Sequence, residues 1–126
     1  MILFLTFLLL FSSCDCEPAR ADTILTASWY SVASLKKEKT WERTHGIMAN
    51  GEVFDENKML AASWDFPLGT WVIVRNIANG KSVKVRITDR TARRFKGKRI
   101  DLSRRAFNLI ANLKQGLVPC EVSVVK

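Results

Sequence analysis

The stretch from Trp71 to Asp101 restricts the fold of this chain more than any other, because it holds a hairpin, a strand ending on an acid, and a dense basic cluster. Val72, Ile73 and Val74 form a β-branched run. Asn79-Gly80 offers the pair that a type I′ turn requires. Beyond it, Val83, Val85 and Ile87 alternate with Lys84, Arg86 and Thr88 at the two-residue period of a half-buried strand. That strand stops at Asp89. An acid directly after three inward-pointing aliphatics belongs at the rim of a barrel, between a low-dielectric interior and water, where its pKa can shift for proton transfer. The plainer use of Asp89 is to cap the following turn or to pair with Arg90.

The rest of the chain frames that stretch. Ile24 to Tyr30 reads as a first strand closing on Trp29 and Tyr30. The lysine-rich segment from Ser34 to Arg43 lacks apolar periodicity and reads as a surface loop. Asn50-Gly51 marks a turn with Glu52 directly after it. Lys58 to Ser63 is a short strand, Trp64 to Gly69 a loop stiffened by Pro67, and Thr91 to Arg99 a basic loop around Gly97. Ser103 can cap a helix in which Ala106, Phe107, Leu109, Ile110 and Leu113 recur at helical spacing up to Gly116. Leu117 to Val125 then alternates as a last strand, which places Cys120 inward as a buried, reduced thiol. Short strands with one short helix before the last describe a mainly β chain folded as a small barrel.

The 126 residues suffice for one domain with a real core and are too few for two. Ile2 to Phe11 is an apolar run well short of the ~20 residues that span a membrane, so it reads as the core of a secretory signal. Residues 1–21 are then the signal and residues 22–126 the domain. Two processing routes are open: Ala19-Arg20-Ala21 fits a cleavage site that frees Asp22, and Phe11-Ser12-Ser13-Cys14 approximates a lipobox that would leave Cys14 lipid-modified. Cys14, Cys16 and Cys120 cannot make a disulfide framework, and no zinc spacing is present. The formal charge of +8 is concentrated, since Arg86, Arg90, Arg93, Arg94, Lys96, Lys98, Arg99, Arg104 and Arg105 crowd one segment. For a cytosolic chain this would suggest nucleic acid; an export signal points instead to anionic wall polymers or lipid headgroups.

Ala27-Ser28-Trp29-Tyr30, His45-Gly46 and Ala49-Asn50-Gly51-Glu52-Val53-Phe54-Asp55 come first, followed by Leu60-Ala61-Ala62, Pro67-Leu68-Gly69-Thr70, Val83 to Arg90 and Ile100-Asp101-Leu102-Ser103. In this order and spacing they resemble the rare lipoprotein A family over nearly all of residues 24 to 125. The resemblance implies a six-stranded double-psi β-barrel with a groove across one face. It also implies action on peptidoglycan glycan strands in the cell envelope, periplasmic, lipid-anchored or extracellular, as a monomer without cofactor or metal. The best-understood members are lytic transglycosylases that cut between N-acetylmuramic acid and N-acetylglucosamine, leave a 1,6-anhydro end and prefer strands stripped of peptide. Expansins share the barrel, so a second expectation is a non-catalytic protein that binds or loosens wall polysaccharide.

Two carboxylates are the minimum for cleaving a glycosidic bond, one to protonate the leaving oxygen and one to steady positive charge at the sugar carbon. By resemblance, Glu52 matches the family's catalytic glutamate and Asp89 its catalytic aspartate. Asp101 is a third candidate, through a similar Asp-Leu motif in expansins, or else a residue that sets the helix start. The family often has a histidine after the double alanine; here that position is Ser63, and the Gly-Pro after its Asp-Arg is Thr91-Ala92. Tyr30, His45, Trp64 and Arg90 are candidate substrate contacts, with Tyr30 and Trp64 able to stack on sugar faces.

Overall fold

The computed structural model describes residues 23–126. The expected signal, residues 1–21, and the expected lipidation at Cys14 fall outside these residues. Six strands close into a barrel: β1 (Thr23–Tyr30), β2 (Leu60–Ala62), β3 (Trp71–Asn76), β4 (Ser82–Asp89), β5 (Arg99–Ser103) and β6 (Val118–Val124), in the order β1-β5-β2-β4-β3-β6. β1 runs parallel to β5 and β2 parallel to β4, while the other neighbours are antiparallel. Two parallel pairs, each joining strands far apart in sequence within a closed barrel, make the double-psi arrangement. The short helix expected before the last strand is present as α3 (Arg104–Asn108).

The alternation that reads as a strand in β4 is what builds the core. Val83, Val85 and Ile87 are buried, while Lys84 points out. They meet β3 in a register that sets Val72 opposite Val85 and Val74 opposite Val83. Leu25, Ile100, Leu102, Phe107, Ile110 and the β6 residues Val118, Cys120 and Val122 complete the same cluster. Each such side chain contributes about 1.5–3 kcal/mol by leaving water. Cys120 is buried and free, as its inward position implies, and burial pushes its thiol up to about 12.

Three local expectations differ. The hairpin between β3 and β4 turns through residues 77–81 rather than through a two-residue type I′ turn. There the Asn76 backbone N–H donates to Lys81 O (2.8 Å), and only Gly80, at φ +78°, has the left-handed backbone. The helix opened by Ser103 stops at Asn108, well before Gly116, which instead closes a separate 3-10 turn over Leu113–Gln115.

The segment from Ser34 to Arg43 is not a loop. It lies in two short helices, α1 (Val32–Lys37) and α2 (Thr40–Thr44). α1 starts in a capping box: the Ser31 hydroxyl accepts from Ser34 N–H (3.1 Å) and the Ser34 hydroxyl accepts from Ser31 N–H (2.9 Å). Val32, Leu35 and Trp41 then pack on a second small core of Met48, Phe54 and Leu60. That anchoring orders a lysine-rich segment whose local sequence would not hold a helix in water.

Candidate active site

The barrel's register assembles the site. Asp89 on β4 lies opposite Ala62 on β2; Ala62 lies opposite Asp101 on β5; Asp101 lies opposite Ser28 on β1. These four residues form one row across four neighbouring strands. The two aspartates are therefore two strand spacings apart, about 10 Å between backbones, with only the small Ala62 between them. A residue this small leaves the space above it open. A cleft of about 680 Å³ occupies it, lined by Tyr30, Ala62, Asp89, Arg90 and Asp101, with Met48 and Phe54 from the second core and Arg43, Arg94 and Arg99 adding positive charge.

Among the described residues, each aspartate is held through one oxygen. Asp89 Oδ1 accepts from the backbone N–H groups of Ala49 (3.0 Å) and Arg90 (2.9 Å). Asp101 Oδ1 accepts from the Ser28 hydroxyl and from Arg99 Nε (2.8 Å), and Arg99 Nε also donates to the Ser28 oxygen (3.0 Å). Burial pushes the Asp89 carboxyl above the ordinary carboxylate range and the Asp101 charge adds to the rise; the two backbone donors and the Arg90 charge pull the other way. An acid that holds its proton to higher pH, open to a cleft on one side, is suited to proton donation.

Of the residues singled out from the sequence, the structure brings Asp89, Asp101, Arg90 and Tyr30 together on the cleft wall. Glu52 is exposed on its turn and does not line the cleft. It accepts from Asn50 Nδ2 (3.0 Å), and its loop is tied to the site because Ala49 donates to Asp89. Ser63 is fully buried, with its hydroxyl accepting from Asp65 N–H (2.9 Å), so its side chain belongs to the wall and not to the cleft. His45 is an exposed left-handed residue at the end of α2, outside the cleft lining.

Trp64 and Tyr30 are not free to stack as expected. The Trp64 ring carries Arg90 and Arg93 at 5.2 and 5.0 Å and its Nε1 donates to Thr91 O (2.6 Å). The Tyr30 ring stacks on Phe54 at 4.4 Å. Arg90 is fixed as well, donating from one nitrogen to the carbonyls of Ser63 and Phe66, both at 2.7 Å. Sequence reasoning missed Ser28 and Arg99, which hold Asp101. It also missed Phe95, whose ring lies under Arg94 and Arg99 at 4.6 and 4.3 Å. The available signal was the Arg99-x-Asp101 spacing on one strand, which places both side chains on the same face.

Residues 22–122 match the family model described as Lytic transglycolase. An uncharacterised protein of Synechocystis sp. is 46% identical over 60% of this chain and 79% of its own length. The probable endolytic peptidoglycan transglycosylase RlpA of Nostoc sp. is 40% identical over 61% of this chain. The endolytic peptidoglycan transglycosylase RlpA of Pasteurella multocida is 37% identical over 85% of it. The chain spans only 20% and 36% of the length of these two transglycosylases. Among solved structures, apo expansin of Clavibacter michiganensis aligns at a TM-score of 0.60 and 21% identity over 82% of this chain and 50% of its own. The Streptomyces papain inhibitor aligns at 0.59 and 21% over 83% and 96%. At such identities the likeness concerns the fold. With residues 22–122 matched and six strands in double-psi order, the chain belongs to the lytic transglycolase family of RlpA-like double-psi β-barrels.

Proposed function

We propose that this protein is an endolytic peptidoglycan lytic transglycosylase of the bacterial cell envelope, exported by residues 1–21 and either lipidated at Cys14 or freed at Asp22. It would cleave between N-acetylmuramic acid and N-acetylglucosamine in peptide-stripped glycan. One observation carries the reading: Asp89 faces an open cleft with a carboxyl whose proton is held to higher pH by burial, beside a second carboxylate, Asp101. The transglycosylase names of the relatives from Nostoc and Pasteurella support the substrate.

In this mechanism Asp89 gives its proton to the glycosidic oxygen, and the bond from that oxygen to the muramic C1 breaks with its electron pair going to the oxygen. Asp101, held by Ser28 and Arg99 at the cleft, offsets the positive charge that grows at C1, and Glu52, exposed outside the cleft lining on the turn tethered to Asp89, adds its negative charge from farther away. The muramic C6 oxygen then closes on C1 and its proton passes to Asp89. Asp89 is thereby reset, no water is consumed, and a 1,6-anhydro end results.

The experiment is incubation of the purified protein with intact and peptide-stripped peptidoglycan, with mass spectrometry of the products. Anhydro-ended fragments from the stripped glycan are expected; hydrolysed reducing ends would contradict the mechanism. One observation favours a second reading, a non-catalytic binder of wall polysaccharide: Ser63, where the family often has histidine, is sealed in the wall, and no histidine lines the cleft. Retention on the glycan without any product would support that reading.

A further inference from the structure

Tyr30 ends β1 beside the cleft, and its hydroxyl is the one buried side-chain polar atom without a hydrogen-bond partner among the described residues. Buried hydroxyls are nearly always paired, because an unpaired one loses water and gains nothing in return. The ring is fixed against Phe54, with centroids 4.4 Å apart and planes inclined by 18°, so that face is closed to a sugar. The hydroxyl is the part of Tyr30 left without a partner. Burial first, and then the charges of Asp89 and Asp101, hold the phenol well above its ordinary value, so it keeps its proton and acts as a donor.

Candidate acceptors line the same cleft. Among the described residues Asp89 is bound through Oδ1 only, by Ala49 and Arg90, and its Oδ2 takes no hydrogen bond from them. Asp101 is likewise bound through Oδ1, but its position is already set by Ser28 and Arg99, and it acts on Tyr30 less strongly than Asp89 does. The other charged groups around the cleft are Arg90 after β4, Arg99 on β5, Arg94 on the basic loop, and Glu38 and Arg43 on the helical wall. Arg90 and Arg99 are already committed, to backbone carbonyls and to Asp101.

We propose that Tyr30 is a positioning residue whose hydroxyl donates to the free Oδ2 of Asp89 when Asp89 gives up its proton. While Asp89 is protonated it needs no donor there. Once its proton has passed to the leaving oxygen, a turn of the carboxylate toward Tyr30 satisfies the orphan hydroxyl and the new negative charge together. A donor waiting where charge develops favours the step that creates the charge. Tyr30 keeps its own proton throughout. The proposal rests on the transglycosylase reading only for what Asp89 does with its proton.

Tyr30→Phe retains the ring and its stack on Phe54 and removes the donor. The test is a carbon-13 NMR titration of the carboxyl groups in parent and variant without substrate. A hydrogen bond to the charged form favours that form, so the variant should bind the Asp89 proton about tenfold more tightly, with the Asp101 titration unchanged. At a pH where Asp89 is protonated the melting temperature should be equal or higher, because no paired group is lost there. On stripped glycan the alkaline limb of the pH–rate profile should move up and kcat should fall, with KM unchanged. A parent that gives no product would refute the proposed function, while the titration would still judge Tyr30. An unchanged Asp89 titration, a shift at Asp101 instead, or a variant that melts several degrees lower where Asp89 is protonated would each overturn the inference.

Discussion

Asp89 carries opposing demands at the scale of a single residue. Its carboxyl is buried enough that ionisation is disfavoured in the fold, yet two backbone donors and Arg90 hold it in place. A carboxyl whose folded pKa is raised adds stability below its unfolded value, about 4, and that contribution is lost as pH rises through the folded value. Asp89→Asn cannot ionise and still offers an oxygen to Ala49 and Arg90. Its melting temperature should therefore exceed the parent's by a margin that widens from acid to neutral pH; a parent that is the more stable of the two at neutral pH would contradict the burial argument. The rim position of Asp89 was legible because Val83, Val85 and Ile87 fix which way the strand faces. The fate of Ser63 was not. Its hydroxyl is taken by Asp65 N–H in a turn whose partner depends on where β2 ends, and β2 stops at Ala62 rather than including Ser63.

Among the elements, β1, β3, β4 and β6 announce themselves by alternation or β-branched runs, because one face of each is core. β2 is three residues long, and its identity comes from its neighbours on both sides rather than from a pattern of its own. The row Asp89, Ala62, Asp101, Ser28 could not be read from spacing, since it is a product of three pairings between distant segments, two parallel and one antiparallel. The two helices after β1 escaped for a related reason. Their cues are a serine capping box and three apolar side chains that gain a partner only when Met48 and Phe54 arrive. The start of α3 was legible, since Ser103 is a strong N-cap residue. The Ser103 hydroxyl accepts from Ala106 N–H (3.3 Å) and donates to Lys58 O (2.6 Å), tying α3 to the approach to β2. Ser103→Ala should therefore cost about 1–2 kcal/mol in chemical denaturation. A loss below a few tenths would mean that neither bond contributes.

The whole molecule is a basic barrel with an acidic pair set in its cleft. Arg93, Arg94 and Lys96 lie on a loop held to the barrel through Asp65, whose carboxylate accepts from Gly97 N–H (2.9 Å). That anchor does not depend on the three side chains, so replacing all three with Ala should leave the fold intact. Exposed charges act through fields screened within roughly 8 Å at physiological ionic strength. Retention on peptidoglycan should thus weaken with added salt and weaken further in the triple variant; binding indifferent to both would place recognition elsewhere. Charge brings the polymer to the cleft, and the carboxyls determine what happens there. Removing a general acid typically lowers the rate by ~10²- to 10⁴-fold. The most direct measurement is mass spectrometry of products from peptide-stripped peptidoglycan treated with the parent, Asp89→Asn, Glu52→Gln and Asp101→Asn. The account predicts 1,6-anhydro ends from the parent and none detectable from Asp89→Asn, with the glycan still bound. Anhydro product from Asp89→Asn at the parent's rate would contradict it.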